Sequence, residues 1–176
     1  MANKKHLGAD QSPSREILRH WQEAVPDDRL AHLVKDATRA FVRALALRLA
    51  DHDIAFGHWS FLRILWEDDG LTQRELSARA GVMEPTTYTA LKAMEKRGFI
   101  TKRRSPTNRK NNYIHLTPKG RALKKKLIPL AEEVNSIAVR KIKSADIAVT
   151  RKTLLGIIEN LARDEAAEDA SGEEAF

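Results

Sequence analysis

Residues 71 to 104 read LTQRELSARAGVMEPTTYTALKAMEKRGFITKRR. Their signals run in the order helix, tight turn, helix, strand. Thr72 with Glu75 three residues on is a T-x-x-E capping box, which satisfies the free N–H groups at a helix start. Leu76 and Ala80 follow on one face. Gly81 breaks the pattern and supplies the backbone freedom that a sharp helix–helix turn needs. Pro85 falls near the start of the next helix, where its missing N–H costs nothing. The spacing puts Val82, Leu91 and Met94 on a buried side. Thr86, Thr87, Thr89, Ala90 and Lys92 then lie at the N-terminal end or on the other flanks. Gly98 stops the helix, and Phe99 to Arg104 alternates enough to be a strand.

Outward from this stretch the chain reads as mainly helical. Residues 1 to 14 are polar, and Arg15 to Val25 suits a short helix carrying Ile17, Leu18 and Trp21. Pro26-Asp27-Asp28 marks a break and a helix start. From Arg29 to about Asp51, Leu30, Val34, Ala37, Phe41, Leu45 and Leu49 recur at spacings of three and four, while His32, Asp36, Arg39 and Arg43 form a polar side. A compact helix over His58 to Glu67 carries Trp59, Phe61, Leu62, Leu65 and Trp66. After the opening stretch, Ser105 to Asn112 is a polar loop and Tyr113 to Leu116 a returning strand, which makes a β-hairpin. Thr117-Pro118 caps a long helix expected to reach about Lys143, kinked at Pro129. Ser144 and Asp146 open a last helix, and the acidic end beyond it is expected to be disordered.

Composition narrows the classes of function. The chain has 176 residues, 42% hydrophobic, with no cysteine. That excludes disulfide scaffolds, thiolate catalysis and cysteine zinc sites. No run approaches the ~18 apolar residues of a membrane span, and the N-terminus lacks an apolar signal segment, so a cytoplasmic protein without membrane attachment is expected. The net charge is +7. Residues 92 to 126 hold thirteen Lys or Arg against the single acid Glu95, so this segment carries +12 and the rest of the chain −5. Asp164 to Phe176 has six acids and no Lys or Arg. Positive charge localised in this way, directly after a helix-turn-helix pattern, points to double-stranded DNA. There is no G-x-S-x-G, H-E-x-x-H, P-loop or G-x-G-x-x-G motif. The six histidines, at 6, 20, 32, 52, 58 and 115, offer no third ligand for a metal. We therefore expect no enzyme, no cofactor and no metal.

Helix, helix, helix, reading helix and hairpin in this order make a winged helix-turn-helix. Helix N-termini attract phosphate through free N–H groups, which nominates Thr72 and Gln73 at one start and Pro85 to Thr87 at the other, with Arg74 a further candidate for direct contact. Thr86, Thr87, Thr89 and Ala90 are candidates to face the major groove, where hydroxyls and methyls can read base edges. Lys92 and Arg97 suit phosphates. Arg103, Arg104, Asn108, Arg109 and Lys110 belong to the wing, which can follow the backbone or place an Arg in a narrow minor groove. Any one of these side chains, taken singly, could equally be a solvated surface residue.

The run from Leu71 to Leu123, LTQRELSARAGVMEPTTYTALKAMEKRGFITKRRSPTNRKNNYIHLTPKGRAL, resembles the MarR family of bacterial transcriptional regulators. It carries the T-Q-x-E-L helix opening, the Gly turn, a Thr-containing reading helix and the L-T-x-x-G start of the following helix at Leu116 to Gly120. The wing departs from the family's R-x-D-P-x-D-R-R, because Ser105 and Asn108 replace two aspartates that orient the wing arginine. The likeness extends over roughly residues 29 to 162. It implies a homodimer on a pseudo-palindromic operator, and a repressor released by a small anionic aromatic compound. The apolar surface of Ile17, Leu18, Trp21 and the two last helices, more than one module can cover, supports the dimer independently. The run GHWSFLRILWEDDGLTQRELS is similar to members controlling breakdown of aromatic acids, which implies an aromatic acid or its coenzyme A thioester as effector. The pocket expected for it is Arg39, Arg43, His58, Trp59, Leu62 and Trp66, with cations for a carboxylate and flat apolar walls for a ring. The same side chains also suit plain core and a solvated helix face. A constitutive or architectural DNA-binding protein without an effector is the alternative.

The resulting organisation is an N-terminal arm over 1–28, a first dimerisation and ligand-pocket helix over 29–53, and a winged helix-turn-helix over 54–116. C-terminal dimerisation helices over 117–163 and an acidic tail over 164–176 complete it.

Overall fold

The computed structural model describes residues 12–23, 30–104 and 112–173, with the side chains of residues 23 and 169–173 outside the described set. The chain divides into two compact units, Met1–Asn135 and Ser136–Phe176. Elements in order are α1 (Pro13–Glu23), α2 (Leu30–Ala50), α3 (Phe56–Glu67), β1 (Leu71–Thr72), α4 (Gln73–Ala80), α5 (Glu84–Lys96), β2 (Ile100–Arg104), β3 (Asn112–Leu116), α6 (Pro118–Ala138) and α7 (Ser144–Glu173). The expected mainly helical winged fold is what forms. It includes one strand that periodicity did not reveal: β1, two residues long, pairs antiparallel with β3 and makes the sheet order β1-β3-β2.

The core of the first unit is apolar side chains from every layer. Leu49, Leu62, Leu65, Leu76, Leu91, Met94, Ile114 and Leu127 are fully buried. Burial of a side chain of this kind contributes on the order of 2 kcal/mol before entropy is counted. The hairpin register pairs Ile100 with Leu116 and Lys102 with Ile114, so Ile100, Ile114 and Leu116 turn to the core. Arg103 and Arg104, further along β2, are exposed.

Two polar contacts hold the reading elements in place. The first joins α4 to α5. Ser77 Oγ donates to Thr87 Oγ1 at 2.8 Å, and Thr87 Oγ1 donates to the Met83 carbonyl at 3.3 Å. Thr87 is 0% exposed. Thr87, Leu91 and Met94 lie at i, i+4 and i+7, so they share the inward stripe of α5. Thr87 is therefore a lock between the two helices and does not face a groove, which corrects the expectation made for it. Val82 is also corrected. It lies in the turn before α5 and is 39% exposed.

The second contact is Asp69, in the loop between α3 and β1. It accepts from the Leu116 amide at 2.8 Å and from Arg121 Nη2 at 2.6 Å, with His115 Nδ1 at 3.7 Å. Partial burial alone would raise this carboxyl. The Leu116 amide, then the hydrogen bond and charge of Arg121, then His115 outweigh it and hold the carboxyl below its ordinary value of 3.8. Asp69 thus ties the end of the wing strand β3 and the start of α6 to the end of α3. Close by, Gly120 is required by space, because a Cβ there would come 2.0 Å from the Phe99 carbonyl oxygen.

Two helix ends differ from expectation. α6 passes Pro129 without a break but stops at Ala138, short of Lys143. Lys141 takes the left-handed conformation, with φ 66°, and no helix continues through it. In the second unit α7 runs on through the acidic stretch to Glu173, which corrects the expectation of disorder as far as that residue. Unequal coverage of apolar surface is a further finding. On α2 only Leu45 and Leu49 are buried, while Leu30 and Phe41 are 55% and 41% exposed. On α7, Val149, Leu155, Ile158 and Leu161 are exposed.

Thr87→Val removes a hydroxyl that both accepts and donates, and leaves the buried Ser77 hydroxyl without its partner. We expect a loss of about 1–3 kcal/mol in urea unfolding. Asp69→Asn tests the second tie. A carboxyl held below its unfolded value stabilises the fold above that value, and the stabilisation is lost as pH falls through the folded-state value. The stability gap between wild type and Asp69→Asn should therefore be full at neutral pH and close in acid, below about 4. A gap independent of pH would reject the assignment.

Candidate nucleic-acid interface

The surface that α4, α5 and the hairpin present together is basic and partly preorganised. At the start of α4 the capping box forms as the sequence indicates. The Thr72 N–H donates to Glu75 Oε2 at 2.7 Å, the Thr72 hydroxyl to the same oxygen at 2.8 Å, and the Glu75 N–H to Thr72 Oγ1 at 3.3 Å. The Thr72 amide, followed by its hydroxyl, lowers the Glu75 carboxyl below its ordinary value. Thr72 is thus engaged as a cap, and its donors are turned to Glu75. The amides of Gln73 and Arg74 are the first-turn donors that the box does not cover. The Arg74 side chain is exposed beside them.

α5 begins differently. Its N-cap is Met83, which makes no side-chain cap, and Pro85 occupies its first turn. Met83 is 76% exposed, and Pro85, Thr86, Thr89 and Lys92 are exposed too. Thr89 Oγ1 donates back to the Pro85 carbonyl at 3.1 Å. Ala90 is partly buried against the core, which leaves it little reach. Of the five residues nominated at the front of this helix, Pro85, Thr86 and Thr89 remain outward.

A cleft of about 360 Å³ separates the start of α4 from the wing strands and is lined by Gln73, Arg74, Glu84, Tyr88, Lys102 and Asn112 among others. Tyr88 is a residue that sequence reasoning missed. It is 52% exposed, and Lys102 Nζ sits 5.5 Å from its ring centroid while also meeting Glu95 at 3.4 Å. An aromatic flanked by the buried Thr87 and Leu91, on the helix side that faces a basic strand, was the available signal. Arg97 lies over the Phe99 ring at 5.2 Å and is half-buried, which fixes it at the base of the wing. Asn108, Arg109 and Lys110, at the wing tip, lie outside the described residues.

The six residues expected to form a ligand pocket do not converge. Leu62 is wholly buried. Trp66 packs edge-on to Trp59, with ring centroids 5.7 Å apart, and donates from Nε1 to the Gly120 carbonyl at 3.0 Å. His58 has a buried Nδ1 with no hydrogen-bond partner among the described residues. Burial, and next the charge of Arg97, depress its pKa. Arg39 and Arg43 line a different cleft of about 300 Å³, between α1 and α2. There Arg39 pairs with Asp36 at 3.0 Å, and Trp21 Nε1 donates to the same carboxyl at 3.1 Å. Only Trp59 lines the cavity that lies between α2, α3, α4 and α6. That cavity is about 350 Å³, walled by Phe41, Phe56, Trp59 and Val134, with the guanidinium-bearing Arg63 and Arg79 on its lining. Arg79 Nη2 meets Asp68 at 2.8 Å. The polar face of α2 misled the expectation. Its arginines follow helical spacing, but they point toward α1.

Comparison with known proteins agrees with this architecture. The MarR family model matches residues 57–111. The chain is 32% identical over 111 residues to the HTH-type transcriptional regulator TtmR of Methylorubrum extorquens, a match that takes in 63% of this chain but 57% of that relative's length. A MarR family transcriptional regulator from Listeria monocytogenes, solved in complex with 26mer DNA, superposes with a TM-score of 0.71 at 25% identity, covering 78% of this chain and 92% of that one. A MarR transcriptional regulator from Methanosarcina mazei shares the fold at a TM-score of 0.71 and 20% identity, covering 78% and 99%. These relatives are regulators and not enzymes. With the capped α4, the locked α5 and the three-stranded wing on one surface, the chain has a winged helix-turn-helix fold whose residues 57–111 match the MarR family of transcriptional regulators.

Proposed function

We propose that this regulator binds a pseudo-palindromic DNA operator as a homodimer, acts as a repressor in the cytoplasm, and is released by a small aromatic acid. The observation that carries the DNA reading is the coincidence of the +12 segment with the exposed side of α5 and the hairpin. Arg74, Lys92, Arg103 and Arg104 supply phosphate contacts, and Arg109 and Lys110 extend them along the wing. The dimer reading rests on uncovered apolar surface. Leu18, Leu30 and Phe41 in the first unit, and Leu155, Ile158 and Leu161 in the second, are all exposed. A second copy burying them would set two reading helices against half-sites about one helical turn apart.

For the effector, the cavity carrying Arg63 and Arg79 replaces the pocket first expected. Its volume suits an aromatic acid, and its rings and guanidinium groups suit the two ends of such a molecule. The coenzyme A part of a thioester would have to remain outside it. A carboxylate taking Arg79 from Asp68 would act at the end of α4, next to the Gly81 turn into the reading helix. That gives a ligand different contacts in the two states of the head, which any ligand-driven shift requires. The second reading, a constitutive or architectural DNA-binding protein, keeps the same interface and lacks this response.

A sequence-specific regulator should bind a selected palindrome far more tightly than random duplex. Lys92→Ala or Arg103→Ala should weaken binding to both and reduce the salt slope of log K by about 1. Equal affinity for specific and random duplex across a salt series would favour the architectural reading. Benzoate and its coenzyme A thioester can be compared in thermal shift and DNA release. The acid should raise the melting temperature and free the DNA, and Arg79→Gln should lose both effects. A broad panel of aromatic acids with neither effect would leave the constitutive reading.

A further inference from the structure

The leading end of α5 has an unusual donor inventory for a reading helix. Base pairs are told apart in the major groove mainly by bidentate donors, Arg or Lys to guanine and Asn or Gln to adenine, or by apolar contact with the thymine methyl. From Val82 to Leu91 the chain has no Arg, Lys, Asn or Gln. Two of the three threonine hydroxyls are engaged within the protein, while Thr86 is exposed. Thr87 is buried against Ser77, and Thr89 donates its proton to the Pro85 carbonyl. The one ionised side chain there, Glu84, lines the cleft shared with Gln73 and Arg74. Tyr88 is held on the wing side by Lys102. What the end of the helix offers outward is mostly apolar: the 76% exposed Met83, the Pro85 ring, and the methyls of Thr86 and Thr89, with the Thr86 hydroxyl the one exposed threonine donor not bonded inward among the described residues. N-terminal residues of a reading helix are the ones that reach base edges. Lys92 begins the cations a turn further along, where they suit phosphate.

We infer that this head recognises its half-sites through thymine methyl groups, with Met83, Pro85 and Thr89 as the specificity-determining residues. This deepens the DNA reading proposed above and rests on it. The first two turns of α5 then select for a 5-methyl group in the groove and are indifferent to guanine. Backbone affinity comes from the surrounding basic residues. Since the contacts are apolar, each methyl read should matter by about the worth of one buried methylene, a factor of about four in Kd.

The test starts from duplexes that the full chain selects out of a randomised pool. In the selected duplex, thymidine is replaced by deoxyuridine in the half-sites, which removes only the methyl. Kd should rise about fourfold for each contacted position. Thr89→Ser keeps the hydroxyl and deletes the methyl, and Met83→Ser deletes the apolar tip. Both residues are exposed, so folding is preserved. Each variant should bind the thymidine duplex more weakly and lose part of the sensitivity to deoxyuridine. Equal Kd for thymidine and deoxyuridine duplexes, with strong selection for guanine at the half-site centres, would overturn the inference while leaving sequence-specific DNA binding intact. Failure of any sequence to enrich over random duplex would overturn the DNA reading beneath it.

Discussion

The pair of hydroxyls at Ser77 and Thr87 is the contact on which the reading head depends. Two helices joined by a three-residue turn can cross at many angles. A buried polar pair permits few of them, because each hydroxyl loses its hydrogen bond when the helices slide. Around this pair the apolar side chains Leu76, Leu91 and Met94 close the interior. The left-handed Gly81, with φ 63°, makes the turn short enough for the pair to meet. The lock also has a consequence at the surface. With Thr87 committed inward, the outward side of α5 is left to Met83, Pro85, Thr86 and Thr89, and its chemistry is more apolar than a row of threonines suggests.

A second constraint acts at the wing. A two-stranded hairpin is marginal in water by itself. Here it is anchored at three points. β1 pairs with β3, Asp69 holds the Leu116 amide and Arg121, and Thr117 donates to the carbonyl of Gly98 at 2.6 Å while its own amide bonds the Phe99 carbonyl at 3.0 Å. The absence of a side chain at Gly120 lets α6 approach the Phe99 carbonyl. The wing base is therefore continuous with α3 and α6. Asp68, the neighbour of Asp69, bonds Arg79 on the lining of the apolar cavity. Two adjacent carboxylates thus face two different parts of the head, and through them the ligand proposed for that cavity would be coupled to the interface.

Much of the fold was legible because it depends on local signals. The capping box at Thr72, the Gly81 turn, the Thr117-Pro118 start and the alternation from Ile100 to Arg104 all appear in the elements where they were read. These are short-range effects, decided within four or five residues. What failed was of another kind. Thr87 was read as outward because a hydroxyl and a methyl can read base edges, although its spacing to Leu91 and Met94 put it on the inward stripe. Arg39 and Arg43 were read as lining a pocket because they share a helix face. Only the packing of α1 against α2, through Trp21 and Asp36, shows which neighbour that face meets.

By itself the sequence determined the order of helices, the capped points of the backbone, the absence of cysteine chemistry and the place of the positive charge. All of these follow from residue type and near neighbours. The tertiary structure alone decided which side of α5 is free, that Leu71 and Thr72 form an edge strand, and that the aromatic cavity takes its cations from Arg63 and Arg79. The reason is physical. Periodicity defines a face of a helix but not the partner against which that face closes, and partners far apart in the chain are selected by packing volume and by the need to satisfy buried hydrogen bonds.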